Sequence, residues 1–128
     1  MLTRPDHYCW VELDETALRD NIGALRAALS PQTEILMVVK ADAYGHGLEG
    51  VVRRARGAGV RQFAVAHLHE AEAVRRAAPD AEVLIVGPLF PEEVAPALRL
   101  RATAIVADRT HGHALAAAAR AAAARACP

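Results

Sequence analysis

Lys40 is the only lysine in a chain that otherwise carries fourteen arginines, and it closes the apolar run Ile35-Leu-Met-Val-Val39. An arginine bias of this kind reflects coding composition, so one lysine kept at a strand end points to a need for a primary amine. A guanidinium is permanently charged and forms no Schiff base. An ammonium among apolar neighbours can give up its proton and become a nucleophile. The residues that follow, Ala41-Asp-Ala-Tyr-Gly-His-Gly47, are mostly small and let a ligand approach the backbone closely. The chemistry these residues could carry is covalent attachment of a carbonyl compound, with pyridoxal among the candidates.

An amine used in this way needs a rigid support. Cys9-Trp-Val-Glu-Leu13 reads as a short strand, and Asp14 offers an N-cap to a helix reaching about Leu29 with Ala17, Leu18, Ile22, Leu25, Ala28 and Leu29 on one face. Ser30-Pro31 stops it. Glu34 to Lys40 is a strand whose nearly continuous apolar character suits burial on both faces of a parallel sheet. Helices are expected over about Leu48–Gly57 and Leu68–Ala78, another opening at Pro91, and an alanine-rich one over about Asp108–Ala126. Strands alternate with them at Gln62–Ala66, Glu82–Gly87 and Thr103–Ala107. This spacing is that of βα units, four of them from the second strand onward. Four units make about half of an eight-unit barrel. They could also form a small doubly wound sheet, although no Gly-x-Gly-x-x-Gly fingerprint occurs.

Composition narrows the function. The 128 residues are one domain or part of one, 53% apolar, with 15 basic and 15 acidic residues interspersed. Nothing here favours nucleic acid or an anionic membrane surface as a partner. No apolar run approaches the length of a membrane span, the N-terminus lacks a secretory pattern, and Cys9 and Cys127 form no metal or redox motif. A cytoplasmic location is expected. His67/His69 and His111/His113 are pairs two residues apart. On a helix that spacing points the rings apart, so no metal site is expected.

The run Val38-Val-Lys-Ala-Asp-Ala-Tyr-Gly-His-Gly47 resembles the pyridoxal phosphate attachment signature of the alanine racemases. Trp10-Val-Glu-Leu-Asp14 with Ala17-Leu18 and Asn21, Phe63-Ala-Val-Ala66 with Glu70-Ala71, and Ile85-Val-Gly87 are similar to further landmarks of that family in order and spacing. The resemblance implies an α/β fold, the N-terminal portion of a (β/α)8 TIM-type barrel with about four βα units behind a leading strand and helix. It implies that residues 1–128 are part of the pyridoxal phosphate-binding barrel domain, with the family's C-terminal β-domain absent from them.

It implies too that Lys40 is the Schiff-base lysine and the base on one face of the substrate, in the interconversion of L- and D-alanine for cell-wall precursors. Tyr44 resembles the tyrosine that hydrogen-bonds the cofactor phosphate. Val38 shares the face of Lys40 by strand alternation and is expected to line the pocket with Val86; for Leu84, plain core is at least as good a reading. Asp42 reads as a loop hydrogen-bonding residue and His46 as a loop-orienting one. In the family the opposite-face base is a tyrosine of the C-terminal domain, supplied by the partner subunit of a homodimer. The chain by itself is therefore expected to be inactive. Two other readings stay open: a racemase of serine or of broad specificity, and a non-catalytic remnant that binds pyridoxal phosphate.

Overall fold

The computed structural model describes residues 11–126. Of the expected leading strand, Cys9 and Trp10 lie outside these residues, and Val11–Leu13 carry no strand pairing. Helix α1 spans Glu15–Ala28. Its cap is the expected one, with the Asp14 carboxylate accepting from Thr16 N at 2.8 Å and Ala17 N at 3.1 Å. Of the apolar face expected on α1, only Ile22 is buried. Leu25 stands in solvent, and the packing of α1 is chiefly against the helix spanning Leu48–Gly57.

Strands β1 (Leu36–Val38), β2 (Gln62–Val65), β3 (Glu82–Ile85) and β4 (Ala102–Ala104) form one sheet in the order β1-β2-β3-β4, every neighbouring pair parallel. Between them come the short segment α2 (Lys40–Gly45), α3 (Leu48–Gly57), α4 (Leu68–Ala77), a 3-10 turn at Pro91–Glu93 running into α5 (Val94–Arg99), and finally α6 (Arg109–Ala126). A doubly wound sheet reverses its strand order at a switch point, whereas barrel strands are laid down in sequence. The order observed is that of a barrel segment. Among the described residues no helix is long and apolar enough to cross a membrane.

Burial follows strand parity. Val39, Phe63, Val65, Val83 and Ile85 are buried together with Val51, Val52 and Ala55 of α3 and Ala71 and Val74 of α4. Burying a side chain such as Phe63 contributes about 1.5–3 kcal/mol, so this helix-covered face is the core. The other face is different. Leu36 and Val38 are exposed, Leu84 and Val86 half-buried, and only the small Ala64 between Val38 and Leu84 is closed off. The expectation that β1 is buried on both faces is therefore corrected. Its apolar run supports a two-sided strand, but within these residues nothing covers the second side.

At the sheet end where β3 and β4 begin, Arg75 ties the frame together. Its guanidinium donates to Leu100 O (2.7 and 3.1 Å), Pro79 O (2.7 Å) and Ala81 O (2.7 Å). A planar, always-charged fork with five N–H donors suits four bonds to three separated carbonyls, one more than the three donors of a lysine could make. This bottom end of the sheet is held by structure, which leaves the opposite end free for chemistry.

Candidate functional site at the C-terminal ends of the strands

The opposite end carries Lys40. Val39 N still donates to Ala64 O at 2.8 Å, so the β1 ladder continues to the residue before the lysine. From Lys40 the chain enters α2, whose inner residues are left-handed: Ala41 (φ 52°, ψ 52°), Asp42 (54°, 45°), Ala43 (53°, 47°) and Tyr44 (56°, 37°). Gly45 and Gly47 follow, each with φ 84°. A glycine takes a positive φ at no steric cost. At the four L-residues it costs roughly 1–2 kcal/mol each, so the turn must be held by its surroundings.

Several bonds hold it. Ala43 N donates to Val39 O at 3.0 Å, and Gly47 N to Asp42 O at 2.9 Å. The Asp42 carboxylate accepts from Leu48 N at 2.7 Å, opening α3 in the loop role expected of it. His46 donates from Nδ1 to Ala43 O at 2.8 Å, which orients the loop as anticipated. Ala43 is buried beneath the turn.

The least anticipated contact comes from Glu70, the buried charged residue of the core. Its Oε1 accepts from Ala41 N at 2.6 Å, while Oε2 accepts from Ala66 N at 2.8 Å and His67 N at 3.0 Å. The capping-box spacing His67-x-x-Glu70 was a signal for the local half of this arrangement. No sequence signal announced the bond to Ala41. Burial alone would push the Glu70 carboxyl up, but the N–H donors of Ala41, Ala66 and His67, with the charge of His67, hold it below its ordinary value of 4.5. A carboxyl depressed in the folded state adds stability that is fully present above its unfolded value and is lost as pH falls through the lower folded one. Thermal melts of the parent and of Glu70→Gln should therefore converge below about pH 4.5, the parent losing stability faster. Parallel decline of the two proteins would contradict this linkage.

The residues singled out from sequence are only partly brought together. Val38 and Tyr44 line one apolar cavity of about 390 Å³ with Leu18, Met37 and Val51, between α1 and the free edge of β1. Lys40 and Val86 do not line it. Lys40 is half-buried at the end of β1, and half-buried Val86 follows β3, two strands away or about 10 Å. The Tyr44 ring is exposed. His67 and His69 do not diverge as helix geometry implied: their rings stack with centroids 5.6 Å apart. The reason is that His67 is the N-cap of α4, with extended backbone at φ −130°, ψ 158°. No group of three potential metal ligands occurs among the described residues.

Lys40 thus places a half-buried primary amine at the carboxyl end of β1, at the edge of the barrel segment. The family model described as "Alanine racemase, N-terminal domain" matches residues 13–127. The chain belongs to the alanine racemase family. The alanine racemase of Geobacillus kaustophilus is 47% identical over 92 residues, 72% of this chain and 24% of that protein. The crystal structure of alanine racemase from E. faecalis superposes with a TM-score of 0.76 at 28% identity, covering 80% of this chain and 28% of that one. A histidine racemase from Leuconostoc mesenteroides has the same fold, with a TM-score of 0.74 at 24% identity over 81% of this chain and 28% of its own. The chain thus spans about a quarter of the length of the alanine racemases it matches.

Proposed function

We propose that these residues are the leading part of the barrel domain of a pyridoxal phosphate-dependent racemase acting on alanine. The observation that carries this reading is Lys40: the single lysine, at the mouth of β1, entering a left-handed turn held by at least six hydrogen bonds around it. The donor set suits the cofactor. One primary amine is available for covalent attachment, the exposed phenol of Tyr44 can donate to an anionic oxygen, and Val38 and Val86 offer apolar surface to a flat ring. When bound, the cofactor's pyridine ring stabilises negative charge at the substrate Cα.

In this reading Lys40 would hold the cofactor through its amine and would also be the group that takes or returns the α-proton on one face. A racemase also exchanges a proton on the other face. That group, the substrate-carboxylate contacts and the C-terminal β-domain belong to the three-quarters of the family's length outside these residues. The complete enzyme, in this proposal, is a cytoplasmic homodimer supplying D-alanine for cell-wall precursors. The shared fold of a histidine racemase supports a second reading, in which the same frame serves another amino acid.

The deciding experiment is addition of pyridoxal phosphate, borohydride reduction and peptide mass mapping, with Lys40→Ala as control. The side-chain amine competes only with the α-amine of the chain. An adduct on Lys40 that disappears in the control supports the reading. Label confined to the α-amine would overturn it for these residues by themselves.

A further inference from the structure

The two oxygens of Glu70 have different tasks. Oε2 caps the start of α4 through Ala66 and His67, four and three residues away. Oε1 reaches across 29 residues to Ala41 N, the amide that follows Lys40 directly. We propose that Glu70 is a positioning residue for Lys40: by sharing one carboxylate between the ends of β1 and β2, it holds the left-handed turn and fixes the direction in which the amine stands. The use made of that amine rests on the cofactor reading above; the hold on the turn does not.

The geometry states why the contact matters. The N–H of Ala41 belongs to the peptide plane joining Lys40 to Ala41, so fixing it restricts ψ of Lys40 and φ of Ala41 together. Ala41 has φ 52°, a conformation an alanine leaves readily once released. The chemistry states why the residue is a glutamate. Three backbone N–H groups converge on it in partly buried bonds, and only a carboxylate accepts on both oxygens without presenting a donor. Glutamine keeps the shape but replaces one acceptor with an amide NH₂. It can serve Ala41 or the Ala66–His67 pair, not both. Aspartate is one methylene too short to span the gap, and an apolar residue would leave all three donors unsatisfied.

Two variants break the same bond from its two ends. Glu70→Gln alters the acceptor, and a backbone ester at position 41 deletes the donor while leaving Glu70 and the α4 cap intact. Two quantities would be read in each. The first is amide exchange at Ala43, His46 and Gly47 in the turn, referenced to Val74 in α4. The second is the plateau rate of borohydride-trapped pyridoxal phosphate capture at Lys40 across about pH 6 to 10, since loosened folding alone lowers the folded fraction without moving the plateau per folded molecule. Exchange in the turn should rise about tenfold or more relative to Val74, and the plateau rate should fall severalfold. Unchanged exchange in both variants would overturn the proposal, and so would faster exchange with an unchanged plateau. If the parent captures nothing at Lys40, the cofactor reading fails, and loss of turn protection in the variants still establishes the hold. Should Glu70→Gln not fold, the ester variant decides.

Discussion

A Lys40→Arg chain treated with pyridoxal phosphate and borohydride should carry no adduct in the peptide spanning position 40, while its stability stays within about 0.5 kcal/mol of the parent. Arginine keeps the positive charge and a long stem at this half-buried position, so any electrostatic role of the side chain survives the exchange. What it removes is the capacity to lose a proton and attack an aldehyde. The expected loss is complete, because the α-amine is the other competing amine and lies in a different peptide. Label persisting in the peptide that contains position 40 would mean that another nucleophile of the strand end captures the cofactor.

The second large effect is structural. A Cβ built on Gly87 lies 2.1 Å from the carbonyl oxygen of Ala66, a backbone atom that cannot swing aside. That carbonyl belongs to the chain leaving β2, beside the amides that Glu70 holds, and Val86 N is bonded to Val65 O at 2.8 Å just before it. A methyl group at position 87 must therefore part the ends of β2 and β3. Gly87→Ala should cost roughly 3 kcal/mol and lower Tm on the order of 10 °C. Thermal denaturation followed by circular dichroism reads this directly, and an unchanged Tm would show that the two strand ends part freely. Gly45 and Gly47 offer the contrast. A Cβ there meets nothing within 4 Å, and the obstacle is the φ of 84° instead.

Much of the frame could be read from local signals. Asp14 announced the start of α1, the βα spacing announced the four strands, and the run ending at Lys40 placed the amine at a strand end. Errors arose where the decisive partner is distant or missing. The exposed face of β1 could not be foreseen from Leu36 and Val38, because a parallel strand's composition assumes cover on both sides. The stacking of His67 on His69 followed from a cap conformation, which a helical projection ignores. Asp42 and His46 were legible because loop residues of their type bond locally. The left-handed turn was not, since Ala41, Ala43 and Tyr44 have no intrinsic preference for it. Its cause includes a carboxylate 29 residues away, and a pairing of that kind leaves no periodicity behind.

The turn after Lys40 has one more consequence, concerning chirality. Left-handed backbone is strained for L-residues because Cβ crowds the following carbonyl, and for a residue of the opposite hand the same φ and ψ are relaxed. Ala41, Asp42, Ala43 and Tyr44 therefore occupy a stretch in which D-residues would be the unstrained choice. A semisynthetic chain with D-alanine at positions 41 and 43 would keep the peptide path while shedding the steric penalty at both. The segment proposed to invert the handedness of an amino acid is itself wound in the mirror-image sense.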